Sequence, residues 1–327
     1  MNPRTRILIL VAFLLGGIGL TLTLPAQVIS KKVYISQTTR HPALDATTKG
    51  IIDGLQAKGF EAGKNLETKI ECAQGNVGLA AQIATLFASK TPEVCVAVGT
   101  LSAQSLAPYA HQGKFSLVFS TVTDPVGAKL VTTLDKSETM TTGVSNFVAL
   151  EPQLALFKKI VPNLTRLGVL YNPGEPNSAS IVSKLENFCA QEGITLVKQT
   201  LSKTSDAPAN ARQLASHAQA LFISNDNTAL SSLNSILKAT QEAKIPLFVS
   251  DTDAVSQGAT AALGPNQYDI GVQTGHMIAR ILQGEKAGDV AVAFPEKTEL
   301  FLNEKAAHQA GITLPSELIK QATRIIR

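Results

Sequence analysis

At 327 residues the chain is long enough for two domains of ordinary size. Apolar residues make up 44% and charged residues 17%, which excludes a disordered chain. The formal charge is +4, and two of the basic residues, Arg4 and Arg6, lie in a leading segment that holds no acid. The rest is too weakly and too diffusely basic to predict nucleic-acid binding.

The first element is a leader. Met1 to Arg6 is short and basic, and Ile7 to Leu24 is an uncharged stretch of about eighteen residues. Pro25-Ala26 follows, then a polar start at Ser30-Lys31-Lys32. This order predicts a secretory signal over residues 1–26. The apolar stretch also approaches spanning length, so the leader is either removed after Leu24-Pro25-Ala26 or kept as an anchor. No Cys follows it, so no lipid attachment is predicted.

Beyond the leader, Val33-Tyr34-Ile35 reads as a strand, Gln37 to His41 as a polar turn, and Pro42 as the opening of a helix. Leu44, Ile51, Ile52 and Leu55 fall on one face of that helix. Leu66 to Cys72 is a second strand. Asn76 caps a helix, Val94 to Val98 is a buried strand, Ser102 can start a short helix, and Phe115 to Phe119 is a strand. Lys129 to Thr142 reads as loop, and Gly143-Val144-Ser145-Asn146 as the passage into a second half.

The second half repeats the pattern. Leu167 to Tyr171 is a strand, Asn172 to Asn177 a turn, and the helix from Ser178 has Ile181, Val182, Leu185 and Phe188 on one face. Strands at 194–199, 220–223, 245–249 and 259–263 alternate with helices, the last of them capped by Asn266 and stopped at Gly284. Residues 290–312 read as strands plus a short helix. Alternating strands and helices predict parallel sheets, so the expected fold is α/β with two Rossmann-like lobes. In such sheets ligands bind at the carboxyl edges of the strands.

Catalytic signatures are mostly missing. Gly99-Thr100-Leu101-Ser102-Ala103 approaches a nucleophile elbow but lacks the second Gly. The five His residues show no metal-ligand spacing, and no cofactor or metal is expected. His217, His276 and His308 read as solvated helix residues. His41 sits at a strand edge, either as a turn and capping residue or as a ligand contact. Cys72, Cys95 and Cys189 are either buried free thiols or include a Cys72–Cys95 bridge. What is abundant is hydroxyl and amide groups after the strands, which serve equally as helix caps or as a converging polar site. Helix starts at Ser102 or Ser178 suit a carboxylate, and Asp45, Asp124, Asp226 or Asp251 suits an ammonium. With few aromatics to stack on sugar rings, the chain is expected to take an amino acid or a similar small polar molecule.

The ordered set His41-Pro42-Ala43-Leu44-Asp45, Thr123-Asp124-Pro125-Val126, Thr142-Gly143-Val144-Ser145, Tyr171-Asn172 with Glu175-Pro176-Asn177-Ser178, and Asp226-Asn227-Thr228 resembles the TrpX-type substrate-binding proteins of ABC importers. Gly258-Ala259 through Tyr268, Gly271, Met277 and the stretch 303–315 fit the same resemblance, which spans about residues 33–315. It implies a type I periplasmic-binding-protein fold, with three crossover strands as a hinge and closure on a ligand such as an aromatic amino acid. The implied ligand-lining residues are Gln37, His41, Thr100, Thr123, Asp124, Ser145, Tyr171, Asn177, Asp226 and Asn227. Two positions depart from the family pattern. Asn146 stands where Asp commonly follows Val-Ser, and Asn266-Gln267-Tyr268 stands where Asp-Tyr-Tyr is usual.

The expected lobes are residues 31–144 with about 260–288, and 145–259 with about 289–327, hinged near Val126, Gly143 and 256–264. The expected function is an extracytoplasmic, periplasmic solute-binding protein that is not an enzyme. It would act as a monomer with a small-molecule ligand and an ABC permease as partners. The alternative is a membrane-tethered ligand sensor of the same fold.

Overall fold

A computed structural model describes residues 30–136 and 139–327; the leader lies outside the described residues. The first half contains β1 (Lys31–Gln37), α1 (Pro42–Ala57), β2 (Leu66–Cys72), α2 (Val77–Ser89), β3 (Val94–Val98), α3 (Thr100–His111), β4 (Ser116–Ser120) and β5 (Thr141–Val144). The second runs through α4 (Leu150–Ile160), β6 (Arg166–Tyr171), α5 (Pro176–Gln191), β7 (Thr195–Thr200), α6 (Ala207–Ala215), β8 (Ala220–Ile223), α7 (Asn227–Ser231), α8 (Leu233–Ala243), β9 (Leu247–Val249), α9 (Asp253–Gln257) and β10 (Ala261–Gly264). The chain ends with α10 (Gln267–Leu282), β11 (Glu299–Asn303), α11 (Glu304–Gln309), α12 (Ser316–Gln321) and β12 (Arg324–Ile326).

The strands form two sheets. One has the order β2-β1-β3-β4-β5, with every pair parallel. The other has the order β12-β11-β10-β9-β8-β6-β7, with β10–β11 its one antiparallel pair. Strands β3, β4 and β8 are buried along their whole length, which explains their continuous apolar runs. Two cores flank each sheet, one centred on Phe157, Phe222 and Phe248, where Phe157 stacks on Phe248 at 4.3 Å. This is the expected two-lobed type I periplasmic-binding-protein arrangement.

Three stretches pass between the sheets. The first follows β5, whose Val144 still belongs to the core of the first lobe. The second follows β10. Ala261–Gly264 pairs with β9 and β11 in the second sheet, so the return to the first lobe comes at Pro265 rather than near residue 260. The third follows Ala293, which bridges to Val144 and donates to Gly143 O at 2.9 Å, so residues 289–293 still belong with the first lobe. Val126, exposed in a turn, lies off these crossings. Strand β5 itself falls at the end of the expected loop; its hydroxyl-rich Thr141-Thr142 is fully buried, with Thr142 donating to Val290 O at 2.8 Å.

Helix α10 packs on α1 along a seam of glycines. A Cβ on Gly50 would lie 2.2 Å from Tyr268 O, and one on Gly271 2.2 Å from Thr47 O. Only glycine permits backbones this close. The cysteines are free. Strand β1 lies between β2, which carries Cys72, and β3, which carries Cys95, so the strand order rules out a bridge between them.

Candidate ligand-binding cleft

The carboxyl ends of β1, β3, β4 and β5 face those of β6, β8, β9 and β10 across a cleft. The turn after β1 places His41 at the start of α1. Its backbone is extended (φ −159°, ψ 161°) and its side chain does not cap the helix. Instead it reaches across the cleft, with Nε2 3.2 Å from Asn227 Oδ1. Asn227 Nδ2 donates to Glu175 Oε2 at 2.7 Å, which fixes that amide's orientation. The Asn227 oxygen therefore accepts, and His41 donates from Nε2. Burial lowers the His41 pKa, so the ring is neutral and its Nδ1 is an acceptor. That Nδ1 is buried and has no hydrogen-bond partner.

His41, Thr100, Asn177 and Asn227 meet around one small cavity. Thr121, Asn146, Asn225, Asp251 and Gln267 complete its polar wall, and Leu44 and Leu230 supply apolar surface. Its volume is about 20 Å³, close to the space of a single water. Asn177 and Asn227 are shared with a groove of about 1010 Å³ that opens to the surface between Arg40 and Lys203. Thr121 holds a left-handed backbone (φ 56°), rare for a β-branched residue and the kind of strain that gathers at working sites.

The other expected site residues stand behind this wall. Gln37 Nε2 donates to Thr39 O and Asp45 Oδ1, each at 2.7 Å, and its Oε1 accepts from Thr48. Thr123 donates to Asn146 Oδ1 at 3.0 Å, and the Ser145 hydroxyl accepts from Phe147 N at 3.1 Å. Tyr171 is half-buried against the core of the second lobe. Asp226 is fully buried; one oxygen accepts from Asn172 N at 2.6 Å, and the other caps α7 through Ala229 N at 2.7 Å. Burial, followed by the nearby Glu175 charge, raises its pKa, while those two backbone donors oppose the rise. Asp124 accepts from Gly127 N at 2.8 Å and from Ser180 Oγ at 3.0 Å, and Lys184 stands 3.6 Å away. Ser180 and Lys184 belong to α5, so Asp124 ties the lobes together at the rim.

Asp251 is held differently. It is 3% exposed, and its hydrogen bond comes from Asp253 N at 3.2 Å. Burial, then the Asp253 charge, pushes its pKa up to about 7. Gln267, read in the sequence as part of a departure from the family pattern and not as a site residue, is 2% exposed, and its Oε1 has no partner. Its place at the first position of α10, directly after a crossing, is the signal that could have marked it. Ser102 of the near-elbow is fully buried in a hydroxyl cluster with Ser36 and Thr38. Among the described residues no group of His, Cys, Asp and Glu could hold a metal ion.

Two α/β lobes with polar rims closed on a cavity define a binding protein of the periplasmic type. The chain belongs to the ABC transporter substrate-binding family, whose family model matches residues 32–326. A tyrosine-binding protein of Clostridioides difficile strain R20291 is 31% identical over 274 residues, covering 84% of this chain and 79% of its own. The crystal structure of an ABC domain from Streptococcus pneumonia in complex with L-Trp is 29% identical, with a TM-score of 0.87 over 91% of this chain and 100% of its own. The ligand-free, open structure of a substrate-binding protein with adhesive properties from Clostridium difficile is 31% identical, with a TM-score of 0.68 over 90% and 99%. At nearly equal identity, the chain superposes far better on the structure with L-Trp than on the open one. The His41–Asn227 and Asp124–Ser180 contacts across the cleft agree with closed lobes.

The protein is accordingly a solute-binding component of an ABC transporter. It works outside the cytoplasm, takes a small molecule in its cleft and serves a membrane permease. Among the described residues, no helix is long and apolar enough to cross a membrane.

Proposed function

We propose that the ligand is an L-α-amino acid with an aromatic side chain, captured as the lobes close and handed unchanged to the permease. The observation that carries this reading is the closed polar cavity between the strand ends, in a chain whose relatives are named for tyrosine and L-Trp. His41, Thr100, Asn177 and Asn227 touch the ligand. Gln37, Thr123, Ser145 and Asp226 hold the wall from behind, Tyr171 supports the edge of the second lobe, and Asp124 latches the rims. The start of α3, where Thr100 meets the cavity, takes the ligand carboxylate with its positive dipole end.

The cavity is far too small for such a ligand as it stands, so entry requires the lobes to part at the three crossings. Residues 1–26 export the chain to the periplasm, where it acts as a monomer. Ligand binding shifts the population toward the closed form, which the permease recognises.

A thermal-shift screen of residues 27–327 against the aromatic amino acids tests this. A ligand at a hundred times its dissociation constant adds about 2.7 kcal/mol to stability. Tyrosine, tryptophan or phenylalanine should raise the melting temperature, shrink the radius of gyration in solution scattering, and be recovered chemically intact. Silence from all three would overturn the assignment.

A further inference from the structure

Of the four acids that could meet a ligand's positive charge, three are already engaged. Asp45 is exposed and accepts from the Gln37 amide. Asp124 is bound by Gly127 N, Ser180 and Lys184. Asp226 spends both oxygens on backbone N–H groups. Asp251 alone is an acid on the cavity wall, and among the described residues its charged neighbour is another acid, Asp253, rather than a cation. The facing rim offers no second acid, because position 146 is Asn and its Oδ1 takes the Thr123 hydroxyl.

Two further acceptors on the same wall are unpartnered: His41 Nδ1, on a residue 6% exposed, and Gln267 Oε1, on a residue 2% exposed. Buried polar atoms without partners are rare in folded proteins, and three acceptors converging on one cavity ask for a single group rich in donors. A primary ammonium carries three N–H donors, no acceptor and one positive charge. It matches this wall in number and in sign.

We propose, building on the amino-acid reading above, that Asp251, His41 and Gln267 form the seat of the ligand's primary ammonium, with Asp251 as its counter-charge. The seat then selects for an unmodified amino group. A des-amino acid leaves Asp251 buried and unpaired, and an N-acylated amino acid brings one donor and no charge.

Calorimetric titration of the purified protein tests the seat with L-tyrosine, L-tryptophan, their des-amino acids, and the carboxyl-free amines tyramine and tryptamine. Removing one partner of a buried charge pair generally costs a hundredfold or more in affinity. Wild type should therefore bind the amino acid about a hundredfold more tightly than its des-amino counterpart. Asp251→Asn should lose about a hundredfold for the amino acid and change by less than about threefold for the des-amino acid. A melting temperature for the empty Asp251→Asn variant at or above that of wild type would show that it folds. Gln267→Ala, which keeps the charge, should lose about tenfold.

Near-wild-type affinity of Asp251→Asn for the amino acid would overturn the seat. So would wild-type binding of a des-amino acid within about threefold of the parent. Binding of tyramine or tryptamine but of neither amino acid would sink the amino-acid reading and leave the seat standing. Binding of none of the six compounds would sink both.

Discussion

The ends of β8 and β9 lie side by side in the second sheet, and each finishes near a buried aspartate, yet the two carboxylates live in opposite circumstances. Asp226, after β8, is surrounded by donors from its own loops and holds the turn after β6 against the start of α7. Asp251, after β9, has one weak bond at 3.2 Å and otherwise faces the cavity. The first acid builds the rim, and the second is left for something that arrives from outside. Burial alone does not separate them, since both are almost completely enclosed. The hydrogen bonds do.

The contrast can be broken most sharply at Asp251. Its folded pKa of about 7 stands above its ordinary value near 3.8, so between those values the folded protein keeps a proton that the unfolded chain has released. Stability from this group is thus fully present in acid and is lost as pH rises from about 4 to about 7. Asp251→Asn escapes that loss. In the absence of ligand its advantage over wild type should grow with pH to about 3 kcal/mol, read by urea unfolding at several pH values. An advantage that did not change with pH would show that burial does not hold the Asp251 proton; Asp226 is raised likewise, so its hydrogen bonds and not its titration set it apart.

Next in size is Asp226→Ala, which leaves the Asn172 and Ala229 N–H groups buried without acceptors. A loss of about 2 kcal/mol in urea unfolding is expected, with ligand and without. His41 provides a smaller effect of opposite sign to that of Asp251. Its folded pKa is lowered by burial, so in acid the unfolded chain gains a proton that the folded one refuses. Wild type should lose stability as pH falls from 7 toward 5.5 on this account, and His41→Gln should not. The smallest effect belongs to the rim latch. Ser180→Ala with Lys184→Met removes partly exposed contacts to Asp124 worth under about 1 kcal/mol. Its expected signature is a larger radius of gyration before ligand is added, with normal compaction after.

Much of the architecture was legible because burial leaves a periodic trace. Ile51 and Leu55 fall on one helical face because α1 covers the first sheet, and Val94 to Val98 is unbroken because both faces of β3 are covered. The α10 cap at Asn266, which accepts from Asp269 N, was equally plain. Strand β5 was hidden because it is buried through hydroxyl-bearing side chains, of which Thr142 is satisfied by a crossing far along the chain. The site was half legible for a deeper reason. A capping aspartate and a ligand-holding aspartate look alike in one dimension, since both follow a strand and precede a helix. Only the positions of the neighbouring N–H groups distinguish Asp226 from Asp251. Gln267 was passed over because its position after a crossing and its departure from the family pattern say nothing of an amide oxygen left without a partner.

The glycine seam between α1 and α10 governs the order in which the chain can assemble. α10 emerges only after the whole of the second sheet up to β10 has been made, yet Ile270, Met277 and Ile278 belong to the same core as Val33, Ile51 and Leu55. A nascent polypeptide cut off before Gln267 would carry that flank bare, unable to finish the domain with which it began. So non-local a contact also delays collapse.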